Sequence, residues 1–285
     1  MPMTIVCTAL MLMLLAFSDA AMAAALSAAR CFVQGVMPAL APMMVLGKMM
    51  PNRTKTEHSG KRDFFRSVLF SFAAGSPAAA QRLRAGGWSG RGWECMLCLT
   101  GVMSPMFFTG TLAGWLSSRR DGWVLLGVHW AGAAAAAGLW RLLAKGGDNI
   151  QLAPQASEKN TLPSAIAQSA HSLLCVLGAM MVFSVAASLL NSALGSAFPS
   201  WTARHADALA AVWALLEIGG GSAAVIETWE QPQALLSALC GFGGLSIWLQ
   251  NLLFVENSIR PGKLLAMRAL HGAVSYGIVR LLCLF

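Results

Sequence analysis

Charge is scarce in this sequence: Asp, Glu, Lys and Arg make up 11% of its 285 residues, against roughly a quarter in soluble domains. That shortage excludes an ordinary water-soluble fold. The phosphate-cradling pattern GxxxxGK is missing, as is any pairing of a nucleophile with a base, so no enzyme and no cofactor are expected. His129, His171 and His271 stand singly on apolar runs without the spacing of a metal site. No Lys or Arg precedes Arg30, so the positive leader of a secretory signal is lacking. Met3 to Phe17 is therefore read as a retained first helix, although the SDAAMAAA that follows resembles a cleavage site. The seven cysteines lie mostly inside apolar runs and form no disulfide framework. The CxxC of Cys95 and Cys98 sits in ECMLCLTGVM, where packing explains it better than redox chemistry.

What is present is apolar. Hydrophobic residues reach 56%, and runs of about 20 of them are long enough to cross a bilayer. The reading is an all-α, polytopic protein of the bacterial cell membrane, with the lipid bilayer as its first partner. Its net charge of +8 comes largely from short segments between apolar runs, as membrane orientation requires, so no nucleic-acid partner is expected. Six runs read as spans: Cys31 to Met50, Glu94 to Leu116, Trp123 to Leu143, Ser164 to Leu190, Pro232 to Val255 and Lys263 to Phe285. Trp115, Trp123, Trp201 and Trp229 mark span ends, where tryptophan anchors at the membrane interface.

Two further stretches break midway: Phe64 to Ala80 at AAGSP, and Ala208 to Ile226 at EIGGG. Glycine and proline are costly inside helices, so each is expected to form a re-entrant hairpin of two half-helices. With both hairpins re-entrant, Lys48 to Arg66, Arg82 to Arg91, Arg141 to Lys159 and Arg260 to Lys263 fall on one side. The positive-inside rule makes that side cytoplasmic. Arg204, Glu227 and Glu230 fall outside, and Arg119 and Arg120 beside Asp121 go against the pattern.

The two halves also echo each other. Cys98, Gly101, Ser104 and His129 recur as Cys240, Gly243, Ser246 and His271, each pair 142 apart, as 240 minus 98 shows. An odd number of crossings per copy turns the second copy upside down, giving an inverted repeat of three spans plus one re-entrant hairpin each, with an extra N-terminal helix. The chain divides into an N-terminal helix and linker (1–30), a first repeat (31–143) with its hairpin at 63–84, a polar cytoplasmic linker (144–163), and a second repeat (164–285) with its hairpin at 208–226.

Several segments carry a resemblance. VMPALAPMMVLGKMM (Val36 to Met50), AAGSPAAA, SPMFFTGTL (Ser104 to Leu112), LLEIGGGSAAV (Leu215 to Val225) and GFGGLSIWLQ (Gly241 to Gln250) resemble the YlbJ-type sporulation integral membrane proteins of the nucleoside-recognition, or gate-domain, superfamily. That superfamily is itself similar to the concentrative nucleoside transporters. The resemblance implies an inverted-repeat transporter fold, a forespore membrane and movement of dipicolinate during spore formation, with a nucleoside as the alternative solute. The first hairpin departs from the family's Gly-aromatic-Pro-small-Gly tip, reading Gly75-Ser76-Pro77-Ala78-Ala79.

The candidate site residues follow from the breaks. Glu217 is an intramembrane carboxylate, suited to a coupling Na+ or H+, or else a structural acid satisfying N–H groups at the break. Gly219, Gly220, Gly221 and Ser222, with Gly75, Ser76 and Pro77 opposite, can present half-helix N-termini to an anion, or simply pack closely. Ser104, Ser246, Gln250 and Asn251 offer neutral hydrogen bonds at matching depths, as solute contacts or as interhelical ties. Arg268 and Arg280 are expected near the ends of the last span, reaching for the interface. The functional expectation is a transporter for a small polar solute. A membrane scaffold for spore assembly is the reading from another class, and oligomeric state, a homo-oligomer included, stays open.

Overall fold

The structure, a computed structural model, describes residues 2–50, 60–85, 90–143, 161–255 and 259–282. Within them every regular element is a helix. The first are α1 (Pro2–Ala16), α2 (Ser18–Met49), α3 (Gly60–Ala74), α4 (Ala78–Ala85) and α5 (Gly90–Thr100). Then come α6 (a π-helical Phe107–Leu112 running into Ala113–Trp115), α7 (Arg119–Leu143), α8 (Leu162–Ala197) and α9 (Pro199–Arg204). The chain closes with α10 (Ala206–Leu216), α11 (Ile218–Thr228), α12 (Gln233–Phe242), α13 (Gly244–Val255) and α14 (Pro261–Leu282).

Four segments among the described residues are long and apolar enough to cross a membrane: α2, α7, α8 and the α12–α13 pair. Six were expected. Glu94 to Leu116 is not one continuous helix, because the chain leaves the helix at Gly101–Ser104 and resumes in α6. The last helix, α14, carries Lys263, Arg268 and Arg280 and falls outside the four. Helix α2 runs unbroken through Cys31, where a linker was expected to give way to a span. Its first half, SDAAMAAALSAARC, is alanine-rich and has neither glycine nor proline to stop it. Helix α8 opens on Thr161, whose Oγ1 accepts from Ser164 N at 3.4 Å, with Pro163 in the first turn, where its missing N–H costs nothing. At 36 residues α8 extends about 54 Å, well beyond a ~30 Å hydrocarbon core.

Helices α12, α14, α7 and α5 pack in succession. Leu125 and Leu126 of α7 meet Leu236 and Leu239 of α12 in one core, while Trp93 and Leu97 of α5 meet Leu264 and Met267 of α14 in another. Polar ties at its ends also bind this group. Glu94, buried at the start of α5, accepts from Lys263 Nζ at 2.7 Å and from Trp140 Nε1 at 3.0 Å. Gln233 Nε2 donates to Asp121 Oδ2 at 3.1 Å. The long helices α2 and α8 lie together through Phe32, Leu40, Val176 and Met180.

Both broken stretches form hairpins. Arg82 Nη1 donates to Met50 O at 2.9 Å, so α3–α4 returns to the end of α2. Trp229 Nε1 donates to Asp207 O at 3.0 Å, so α10–α11 returns to its own start. The basic segment Pro51 to Arg62 and the connection Lys145 to Thr161 lie, but for their ends, outside the described residues.

Hairpin α10–α11 closes so tightly that a Cβ on Gly221 would overlap the Ala214 backbone, whereas one on Gly220 meets only Glu217 Oε2 at 3.5 Å. The triplet expected to act as a unit thus divides. Gly221→Val is expected to destabilise the purified protein by about 1–3 kcal/mol, the usual cost of overpacking. Gly220→Ala is expected to be neutral or slightly stabilising, since alanine favours helix by about 1 kcal/mol. Thermal unfolding of the two variants in the same detergent checks the contrast.

Candidate functional site

The hairpin tips are where the chain departs most from regular helix. Gly75 ends α3 in the left-handed region (φ +73°), and a side chain there would strike the backbone of Ser104. Ser76 N then donates to Val102 O at 2.6 Å, so the first tip is held against the non-helical segment Gly101–Ser104. The second tip does the same elsewhere. Gly243 and Gly244 (φ +82° and +73°) break α12 from α13, and a Cβ on Gly244 would lie 3.2 Å from Ile218 N. Each tip therefore presses into a broken helix.

Between the two lies an open-mouthed cavity. Of the residues singled out from sequence, Ser76, Ser104, Glu217, Gly219, Ser246 and Gln250 line it. Gly75 stands behind the first tip, and Pro77 is buried beside it without reaching the cavity. Gly220 is exposed, Gly221 and Ser222 are buried in the hairpin, and Asn251 is buried beyond Gln250. Ser76 and Ser246 line the cavity, and their hydroxyls are buried with no hydrogen-bond partner among the described residues.

Sequence reasoning missed much of the wall. Gly35, Val36, Phe107 and Thr111 line the cavity from two π-helical segments, Phe32–Val36 and Phe107–Leu112, which pack against each other, and Cys31 lines it just before the first. Val176 and Met180 close it from α8. A π turn widens the helix by one residue and often marks a working site. The sequence cue was Gln34-Gly35 and Thr109-Gly110-Thr111, polar and small positions inside apolar runs.

Glu217 is committed by its surroundings. It is the residue that starts α11, and its carboxylate accepts from Gly219 N (Oε1, 2.9 Å) and Gly220 N (Oε2, 2.7 Å). These are unpaired N–H groups of a new helix, and the helix dipole favours a negative charge there. The half-helix end expected to greet an anion is thus already occupied by the chain's own acid. This also makes concrete the structural role weighed for Glu217.

Arg268 does not reach for the interface. It is 3% exposed, with Nε donating to Phe242 O at 2.8 Å and Nη1 donating to Gly101 O. Those carbonyls follow α5 and end α12, so one guanidinium caps both breaks. The reason is local: the two breaks leave carbonyls that no helix can satisfy, and Arg268 is the cation within reach of both. Of the three histidines singled out, His129 and His271 come together, while His171 stays exposed on α8. His271 Nε2 donates to His129 O at 2.9 Å, His129 Nε2 accepts from Met103 N at 2.9 Å, and the rings lie 4.6 Å apart. Both are fastened to backbone, and no cluster of three or more His, Cys, Asp or Glu among the described residues is placed to hold a metal.

Neither a family model, nor a curated protein, nor a solved structure matches the chain.

Proposed function

We propose that this is a membrane transporter-like protein that carries a small polar solute through the cavity between its two hairpin tips, and that its halves are inverted repeats. One observation carries the reading: two broken hairpins and two broken helices, from different halves of the chain, converge on one cavity with unpaired hydroxyls. Irregular backbone at membrane depth is tolerated where it lines such a cavity.

The spacing of 142 supports the repeat. Gly75 and Glu217 end the first arms of the two hairpins, Ser76 and Ile218 follow at the tips, and Val102 and Gly244 are their contacts in the broken helices. Each pair differs by 142, as 244 minus 102 shows. Corresponding positions therefore approach each other in both halves, with a hydrogen bond in the first and close backbone approach in the second. With three-span copies the first hairpin enters from the cytoplasm and the second from outside, and the site lies between them near the bilayer midplane. The chemistry needed is binding and passage, with no bond made or broken, so no catalytic role is assigned.

The YlbJ-type resemblance makes dipicolinate the first solute to test and a nucleoside the second. Purified protein in liposomes is expected to accumulate one of them under an imposed proton or sodium gradient. Ser246→Leu, which drives a larger apolar side chain into the cavity, is expected to reduce that uptake to the level of empty liposomes. Uptake of neither solute under either gradient overturns the reading.

A further inference from the structure

The cavity's lining narrows what it can accept. Among the described residues, Glu217 is the charged one that lines it, and no Lys, Arg or His does. Arg268 does not line it; its Nε and Nη1 donate to Phe242 O and Gly101 O, and its Nη2 is buried without a partner among the described residues. The N-terminus of α11, which would otherwise offer about half a positive charge, is covered by the Glu217 carboxylate. With Glu217 ionised, the dipole only partly offsets its full negative charge, and the cavity then keeps a negative potential. In a site poor in water that potential acts strongly on a charged solute.

The remaining polar groups are neutral. Ser76 Oγ and Ser246 Oγ lack partners, and Ser76 is 8% exposed, Ser246 0% and Gln250 3%. These can donate or accept, and each carboxylate oxygen of Glu217 keeps a lone pair beyond the one its N–H bond uses. Leu40, Phe107, Val176, Met180 and Ile247 make the rest of the wall largely apolar. We infer that this cavity excludes anions and takes a small polar solute that offers hydrogen-bond donors, turns an apolar face to the wall and carries no negative charge. The inference rests on the cavity being the solute site and sharpens it: a dicarboxylate such as ionised dipicolinate meets a carboxylate and no cation.

Cys31 reports on this directly, because its thiol lines the cavity and lies 3.3 Å from where a Cβ on Gly219 would stand. The unaltered full-length protein is treated with a trimethylammonium methanethiosulfonate or with the sulfonate of the same length. Modification of Cys31 is then read by peptide mass spectrometry, each rate being divided by that of the same reagent with 2-mercaptoethanol. The cation is expected to react at least about tenfold faster than the anion after this correction. Glu217→Gln is expected to bring the two rates together, and the unaltered protein decides the matter should that variant fold poorly. A sulfonate rate equal to or above that of the cation overturns the inference. So does failure of both reagents, which makes the cavity closed to polar solutes. Neither readout requires transport, so a failed uptake assay and a failed charge preference remain separate results.

Discussion

Arg268→Met is expected to cost the protein about 2–6 kcal/mol of stability, from two buried carbonyls each losing a hydrogen bond worth roughly 1–3 kcal/mol when left unmet. The orphaned groups are Phe242 O and Gly101 O, both at helix breaks that cannot satisfy them internally. Methionine fills a similar volume, which keeps the comparison on hydrogen bonding rather than on a cavity. Arg268→Lys keeps the charge but replaces a planar fork by a single ammonium, and it should recover only part of the loss. Denaturation of the three proteins in one detergent gives the order arginine, lysine, methionine. Equal stability of arginine and methionine would mean that the breaks hold without their cation.

The second large effect is expected at Glu217, and it is functional. Glu217→Gln removes the titratable group while keeping shape, so gradient-driven uptake is expected to fall about tenfold or more, as for loss of the group that binds the coupling proton or sodium. Solute exchange without a gradient should persist. The amide offers one acceptor oxygen where the carboxylate offers two for Gly219 N and Gly220 N, so a cap loss of about 0.5–2 kcal/mol accompanies it. Measuring exchange and accumulation in the same liposomes separates the two consequences. Unchanged accumulation leaves Glu217 as a cap for α11 and moves the coupling site elsewhere.

Both hairpins were legible because their breaks are written in local chemistry: Gly75 and Pro77 in one, three glycines in the other. The recurrence at 142 was legible too, since it needs only counting. The breaks at Gly101–Ser104 and Gly243 were not, because GVMS and GFGG look like small residues in a span. The first follows from a distant contact, Ser76 N reaching Val102 O, which no window of sequence contains. Arg268 was misplaced for a related reason. A lone arginine near a span end ordinarily reaches water, and only the meeting of two breaks makes burial favourable. The π segments of α2 and α6 carry no sequence rule of their own, so the wall they build came from structure alone.

The cation that serves both breaks comes from one half. Counting back 142 from Arg268 arrives at Leu126, 1% exposed in an apolar core. A pair of identical copies made from the second half alone would bring two guanidinium groups to a place with room for one, and a pair made from the first would bring none. If the chain descends from a duplicated gene, this position is where the copies ceased to be interchangeable. Joining the halves in one polypeptide allows a lone charge to serve both breaks, which no self-paired subunit can arrange.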